Sequence, residues 1–287
     1  MRDTAERFGW ALVAPTLAVM VLILALPLLF SLYIGFHRWD LSVVPSRIDW
    51  VGLDNYREHL TSAEFWRVMR FTFVYTFSVV GGSFLIGLVL ALLLKRAPVA
   101  RGFFTAMLTL PMMMTPIVAG LVWRLMYNPT YGAINQIFGL GQISWLGEVR
   151  TAMIAVILTT IWQSTPFIMI LLLAGLQSLP EEPFEAALID GASRWQSFRH
   201  VTLPLLMPTI MVALLIRTIF EFRAFDVIWI LTTGGPAGAT ATLSLLNFRI
   251  SFRHFAVGEG AALSWLMLIV TIVLSAGFIA SLYRRNQ

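Results

Sequence analysis

Long apolar stretches without a single charge recur along the chain. Five are unambiguous: Phe8–Phe36, Phe71–Leu94, Gly102–Trp123, Thr151–Pro180 and Gly260–Tyr283. Each holds the roughly 20 residues that a helix needs to cross a bilayer. A sixth apolar piece opens at Pro204 and runs into Arg217, Glu221, Arg223 and Asp226. Charges at that depth are tolerated when they face the inside of a bundle, so the pattern predicts a helix over about 204–224. The stretch 125–147 is also uncharged, but its glycines, Pro129 and polar amides read as a loop. After 224 the apolar pattern is broken by Gly234-Gly235-Pro236, which predicts a buried or interfacial loop over about 225–259. The expected architecture is an all-α membrane protein, a single domain over 1–287 with six transmembrane helices.

Composition agrees. Hydrophobic residues make up 58%, charged residues only 12%, and the mean hydropathy is +0.80. A soluble globule carries about twice that share of charge. The chain is basic, but its Lys and Arg sit in short segments between apolar runs, which argues for a membrane rather than a nucleic acid. With the N-terminus inside, Lys and Arg are about twice as dense in the cytoplasmic segments as outside. Lys95, Arg96, Arg101, Arg284 and Arg285 contribute most. Both termini are then cytoplasmic, and the outer loops cover about 37–70, 124–150 and 225–259. The first run is too long for a signal-peptide core of about 7–15 residues and reads as a retained span.

Several chemistries are excluded. There is no cysteine, so disulfides, thiolate catalysis and Cys-ligated metals are impossible. The only lysine, Lys95, follows Leu94, so no phosphate-binding G-x-x-x-x-G-K-[ST] loop exists. His37, His59, His200 and His254 lack ligand spacing. No catalytic residue, resident cofactor or metal is expected. A membrane enzyme or scaffold built on Arg217, Glu221, Arg223 and Asp226, or a secondary transporter, remains open from the residues alone.

The inside segment at about 179–204 carries the most specific pattern. Glu181, Glu182, Pro183 and Glu185 suit the first turn of a helix, acids being favoured at its positive end. Phe184, Ala187 and Leu188 form one apolar face. Gly191 ends that helix, Ser193 caps a second short one, and Pro204 opens the fifth span. A membrane-surface helix is ordinarily basic, whereas this one is acidic and suits docking on a protein.

Here the sequence resembles a family. Glu185-Ala186-Ala187, Gly191 and Val201-Thr202-Leu203-Pro204 match the EAA-x3-G-x9-I-x-LP motif of ABC importer permeases, with Val201 in place of isoleucine. Pro15, Gly52-Leu53-Asp54-Asn55-Tyr56, Trp162–Phe167, Phe225–Trp229 and Leu231–Pro236 look like the carbohydrate-uptake, maltose-type branch in its shorter form. The resemblance implies a type I importer permease fold in a bacterial inner membrane. It implies a second homologous permease, two ATPase subunits that carry Mg-ATP, an extracytoplasmic sugar-binding protein and no nucleic acid. Phe184, Glu185, Ala186, Ala187, Asp190 and Gly191 would meet the ATPase. Sugar-contacting positions fall on the fourth and fifth spans: Gln163, Ser164, Phe167, Arg217, Phe220, Glu221 and Ala224. Pro166 opens the backbone beside the first three, and the last four share a helical stripe. Arg217 and Glu221 depart from the neutral groups of the family. They form either an internal ion pair or a more polar pocket.

Overall fold

The structure, a computed structural model, describes residues 2–45, 47–96 and 101–285. Residues 97–100, part of the positive-inside argument, lie outside it. Two compact units emerge, Met1–Phe65 with Asn247–Val270, and Trp66–Leu246 with Thr271–Gln287.

In the first unit, α1 (Arg2–Gly35) leads into a hairpin of β1 (His37–Trp39) and β2 (Ile48–Trp50), with His37 opposite Trp50. Helix α2 (Asp54–Thr61) follows. Buried Asn55 donates its amide to the carbonyls of Gly35 (3.0 Å) and His37 (2.9 Å). The Gly52–Tyr56 motif therefore has a structural task here: it fastens the end of α1 to the hairpin.

The second unit holds most of α3 (Ala63–Arg96), then α4 (Arg101–Met113), α5 (Pro116–Met126), the short α6 (Ala133–Ile137) and α7 (Val149–Gln177). Next come α8 (Glu182–Ile189), α9 (Arg194–Ser197), a π-helical turn (Phe198–Thr202) and α10 (Leu203–Phe222). Helix α11 (Asp226–Thr232) and most of α12 (Leu243–Phe248) follow, whereas the second π turn (Arg249–Arg253) and the first half of α13 (Val257–Arg285) belong to the first unit. Among the described residues, five helices are long and apolar enough to cross a membrane, and α4 with α5 forms a sixth, bent candidate.

Helices α3 and α7 run side by side in the same direction, because Tyr75 meets Thr160 and the site of Gly87 abuts Ile168. Helix α10 runs the opposite way: Glu221 meets Ser164 while Leu206 and Thr209 lie against Gly175. A Cβ at Gly175 would come within 2.8 Å of Thr209, so the absent side chain sets how closely α7 and α10 approach. Leu88, Ala91 and Leu94 of α3 bury against Ile168, Met169, Leu172 and Leu176 of α7 and Leu206 of α10.

Three expectations are corrected. The third span is not one helix: the chain turns by 93° between α4 and α5. It still crosses. Arg101 donates to the carbonyl of Leu94 at one end, and the Tyr127 hydroxyl donates to the carbonyl of Ala155 near the start of α7. The fifth span does not open at Pro204. Arg194–Phe222 is continuous, since the π turn joins the expected second short helix to it. The segment 225–259 is largely helical rather than a loop, with Val227, Ile228, Leu231, Leu243 and Leu245 buried. Thr72 ties it down, accepting from the backbone N–H of Leu243 at 3.1 Å.

Candidate functional site

A cavity of about 610 Å³ opens where the third span breaks. Helix α4 ends at Met113, and Thr115 caps α5 by accepting from the backbone N–H of Val118, with Pro116 at the first helical position. That leaves the Met114 carbonyl outside any helical ladder. Gln163 of α7 fills the gap, its Nε2 donating to that carbonyl at 3.2 Å. Unbonded backbone in a membrane costs several kcal/mol, by order of magnitude, which is why a polar side chain stands there. Gln163→Leu is therefore expected to lose about 1–3 kcal/mol of stability, read as a lower unfolding temperature in detergent. An unchanged transition would show the bond to be dispensable.

All seven positions expected for the site line this cavity. Their roles differ. Glu221, 4% exposed, accepts from Ser164 Oγ at 2.9 Å and from the Tyr75 hydroxyl at 3.3 Å, and pairs with Arg217. Arg217 also donates to Ser164 Oγ and lies over the Phe167 ring at 5.7 Å from its centroid. The charged pair is thus an internal one, braced from α3 and α7. Phe220 stands apart: it is 65% exposed and presents its ring to the open cavity. Ala224 lies past the end of α10, in the turn after Arg223, so the expected stripe is helical only as far as Glu221. Its carbonyl accepts from Thr242 Oγ1 at 2.9 Å. Helix α7 passes unbroken through Pro166.

Sequence reasoning missed Tyr75, Thr160 and the methionines at the break, Met112 and Met114. A signal for Tyr75 existed. Thr72, Tyr75 and Thr76 fall at i, i+3, i+4 in an otherwise apolar run, and all three are fully buried.

At the other end of α7, Gly191 takes φ +70° beyond α8, and the N–H of Ala192 reaches back to the Ala187 carbonyl at 2.9 Å. Ser193 caps α9 in a reciprocal box with Gln196. Helix α8 has no buried residue. Its expected apolar face is split: Phe184 and Ala187 are half-buried, but Leu188 is exposed together with Ile189. Lys95 sits over the Phe184 ring, 5.1 Å from its centroid.

The second unit thus presents a membrane-length helix pair broken in the middle, a mostly apolar cavity with a few polar groups at the break, and an exposed helix at the far end of α7. The chain belongs to the family of binding-protein-dependent transport system inner membrane components, which it matches over residues 83–286. It is 39% identical over 273 residues to a probable ABC transporter permease protein, y4oQ, of Sinorhizobium fredii, covering 94% of this chain and 88% of that one. It is 38% identical over 272 residues to the trehalose/maltose transport system permease protein MalF of Thermococcus litoralis, covering 93% and 90%. Its fold matches that of a chain in a bacterial ABC transporter that imports the acidic polysaccharide alginate, with a TM-score of 0.85 at 22% identity over 99% of this chain and 98% of the other. The chain is a non-catalytic, multi-span permease subunit of an ABC importer, which removes the enzyme, scaffold and secondary-transporter readings.

Proposed function

We propose that the cavity at the break is part of the path of a carbohydrate, and that this chain works beside a second permease, on two ATPase subunits, with a sugar-binding protein delivering the cargo. The observation that carries the reading is the pairing of an exposed aromatic face, Phe220, with polar groups at a break in a membrane span. Sugars offer C–H faces to aromatic rings and hydroxyls to polar groups. The name of the trehalose/maltose relative points the same way. Arg217 and Glu221 neutralise each other and shape the wall, Gln163 holds the break, and Phe220 and Phe167 offer the faces. In this reading the termini and α8 are cytoplasmic. Phe184, Glu185, Ala186, Ala187, Asp190 and Gly191, with exposed Leu188 and Ile189, meet the ATPase. ATP binding and hydrolysis belong to that partner. Closure of the ATPases moves α8, and alternating access follows as the spans reorient.

Phe220 supplies the test. Its ring is exposed, so Phe220→Ala should leave assembly intact while lowering sugar uptake about threefold to tenfold, the worth of one aromatic contact. Uptake of radiolabelled disaccharide into cells, normalised to membrane-inserted protein, reads this. Wild-type uptake by the variant would remove the cavity from the path.

A further inference from the structure

A second cavity, of about 880 Å³, lies between the ends of α3 and α7 and the segment from α8 to the π turn. Its chemistry is divided along its depth. Lys95, Arg96 and Arg194 line one end, while Val89 and Leu92 form a wall on the membrane-spanning part of α3. Trp195, 66% exposed, stands at the basic end, and no acidic side chain lines the cavity among the described residues. From Lys95 back to Val89 the helix rises roughly 9 Å at 1.5 Å per residue. Phe184 and Leu188, which the proposed function sets against the ATPase, also line this cavity, but the apolar wall on α3 reaches into the hydrocarbon, where a soluble ATPase has no access.

We propose that this cavity binds an anionic phospholipid of the cytoplasmic leaflet, its phosphate among Lys95, Arg96 and Arg194 and an acyl chain along Val89 and Leu92. The site rests on the orientation given under the proposed function. Three cations with an adjoining lipid-depth wall favour an anionic lipid over a zwitterionic one, and an interfacial tryptophan suits the headgroup level.

The test uses the transporter complex purified through this chain and placed in nanodiscs. Brominated phosphatidylglycerol should quench the fluorescence that is lost in Trp195→Phe, at a mole fraction about tenfold lower than brominated phosphatidylcholine. Lys95→Gln/Arg96→Gln/Arg194→Gln should abolish that preference, while Lys95→Arg/Arg96→Lys/Arg194→Lys should keep it. Equal quenching by the two lipids overturns the site, as does a preference that survives the glutamine variant. Displacement of the lipid by millimolar glycerol phosphate would make it a small-anion site instead and also overturns the proposal. Absence of Trp195-dependent quenching by either lipid in the complex also overturns the proposal. Orientation is read separately, by impermeant thiol labelling of His200→Cys, an exposed position outside the cavity. Labelling from outside overturns the orientation and the cytoplasmic lipid together, whereas cytoplasmic labelling without lipid preference overturns the lipid alone.

Discussion

Arg217→Leu should leave little folded protein in the membrane. The substitution strands Glu221, which is 4% exposed and keeps only the hydroxyls of Ser164 and Tyr75. Removing one partner of a buried ion pair costs about 3–5 kcal/mol, because the other charge stays buried and unpaired. Glu221→Leu should fail for the same reason. The double Leu variant should fold again, since apolar replacement of a whole buried pair is often neutral. Fluorescence-detected size exclusion of the tagged chain measures all three. Normal yields for either single variant would show that the pair is not integral to the bundle. The exchange Arg217→Glu with Glu221→Arg divides structure from transport. Ser164 and Tyr75 can donate or accept, so assembly should return, but the guanidinium over Phe167 is lost and uptake should stay impaired. Full uptake by the exchanged protein would confine both residues to the scaffold.

The second large effect is expected at Gly191. With φ at +70°, a β-branched side chain is disfavoured there by about 1–3 kcal/mol. No atom lies within 4 Å of a Cβ placed there, so the penalty comes from the backbone alone. Gly191→Val should leave the spans inserted and the ATPase attached while uncoupling ATP hydrolysis from uptake. Gly191→Asn, which tolerates the left-handed region, should retain most coupling. Glu185→Lys should uncouple by reversing a charge on the exposed face. Paired measurements of hydrolysis and uptake in proteoliposomes decide this. Equal coupling in the Val and Asn variants would mean that the turn geometry does not matter.

Much of this architecture was legible because its signals are local. An uncharged run of 20 or more residues allows little but a span. The order acid, proline, apolar face, Gly191, Ser193 names two helix ends through cap chemistry, and both caps form. The break in the third span was not legible from hydropathy, since Met112, Met113 and Met114 keep the run apolar across it. Thr115-Pro116 is a helix-start signature and offered the one local clue. The helices between 225 and 259 were hidden by their brevity and by Gly234-Gly235-Pro236, and burial rather than propensity sustains them. The seven cavity residues came from spacing and resemblance, which identify a neighbourhood but not a partner. That Glu221 spends its oxygens on Ser164, Tyr75 and Arg217 needs three helices at once, and no single stretch of sequence contains that information.

The bend between α4 and α5 also governs how movement at one membrane face is felt at the other. An unbroken helix is a stiff rod: tilting its inner end swings its outer end as well, because every turn is clamped to the next. At Met114 the ladder is interrupted, and the gap is held by its N–H on the Pro111 carbonyl and by an amide from a neighbouring helix on its own carbonyl. The helical ladder therefore does not carry a tilt of one arm into the other, whose far end is seated against Trp162 and Ala155. If the chain works by alternating access as proposed, a joint at this point separates movement of the wall at one end from movement at the other. A leak requires both to stand open together, and a jointed wall makes that concerted opening unnecessary.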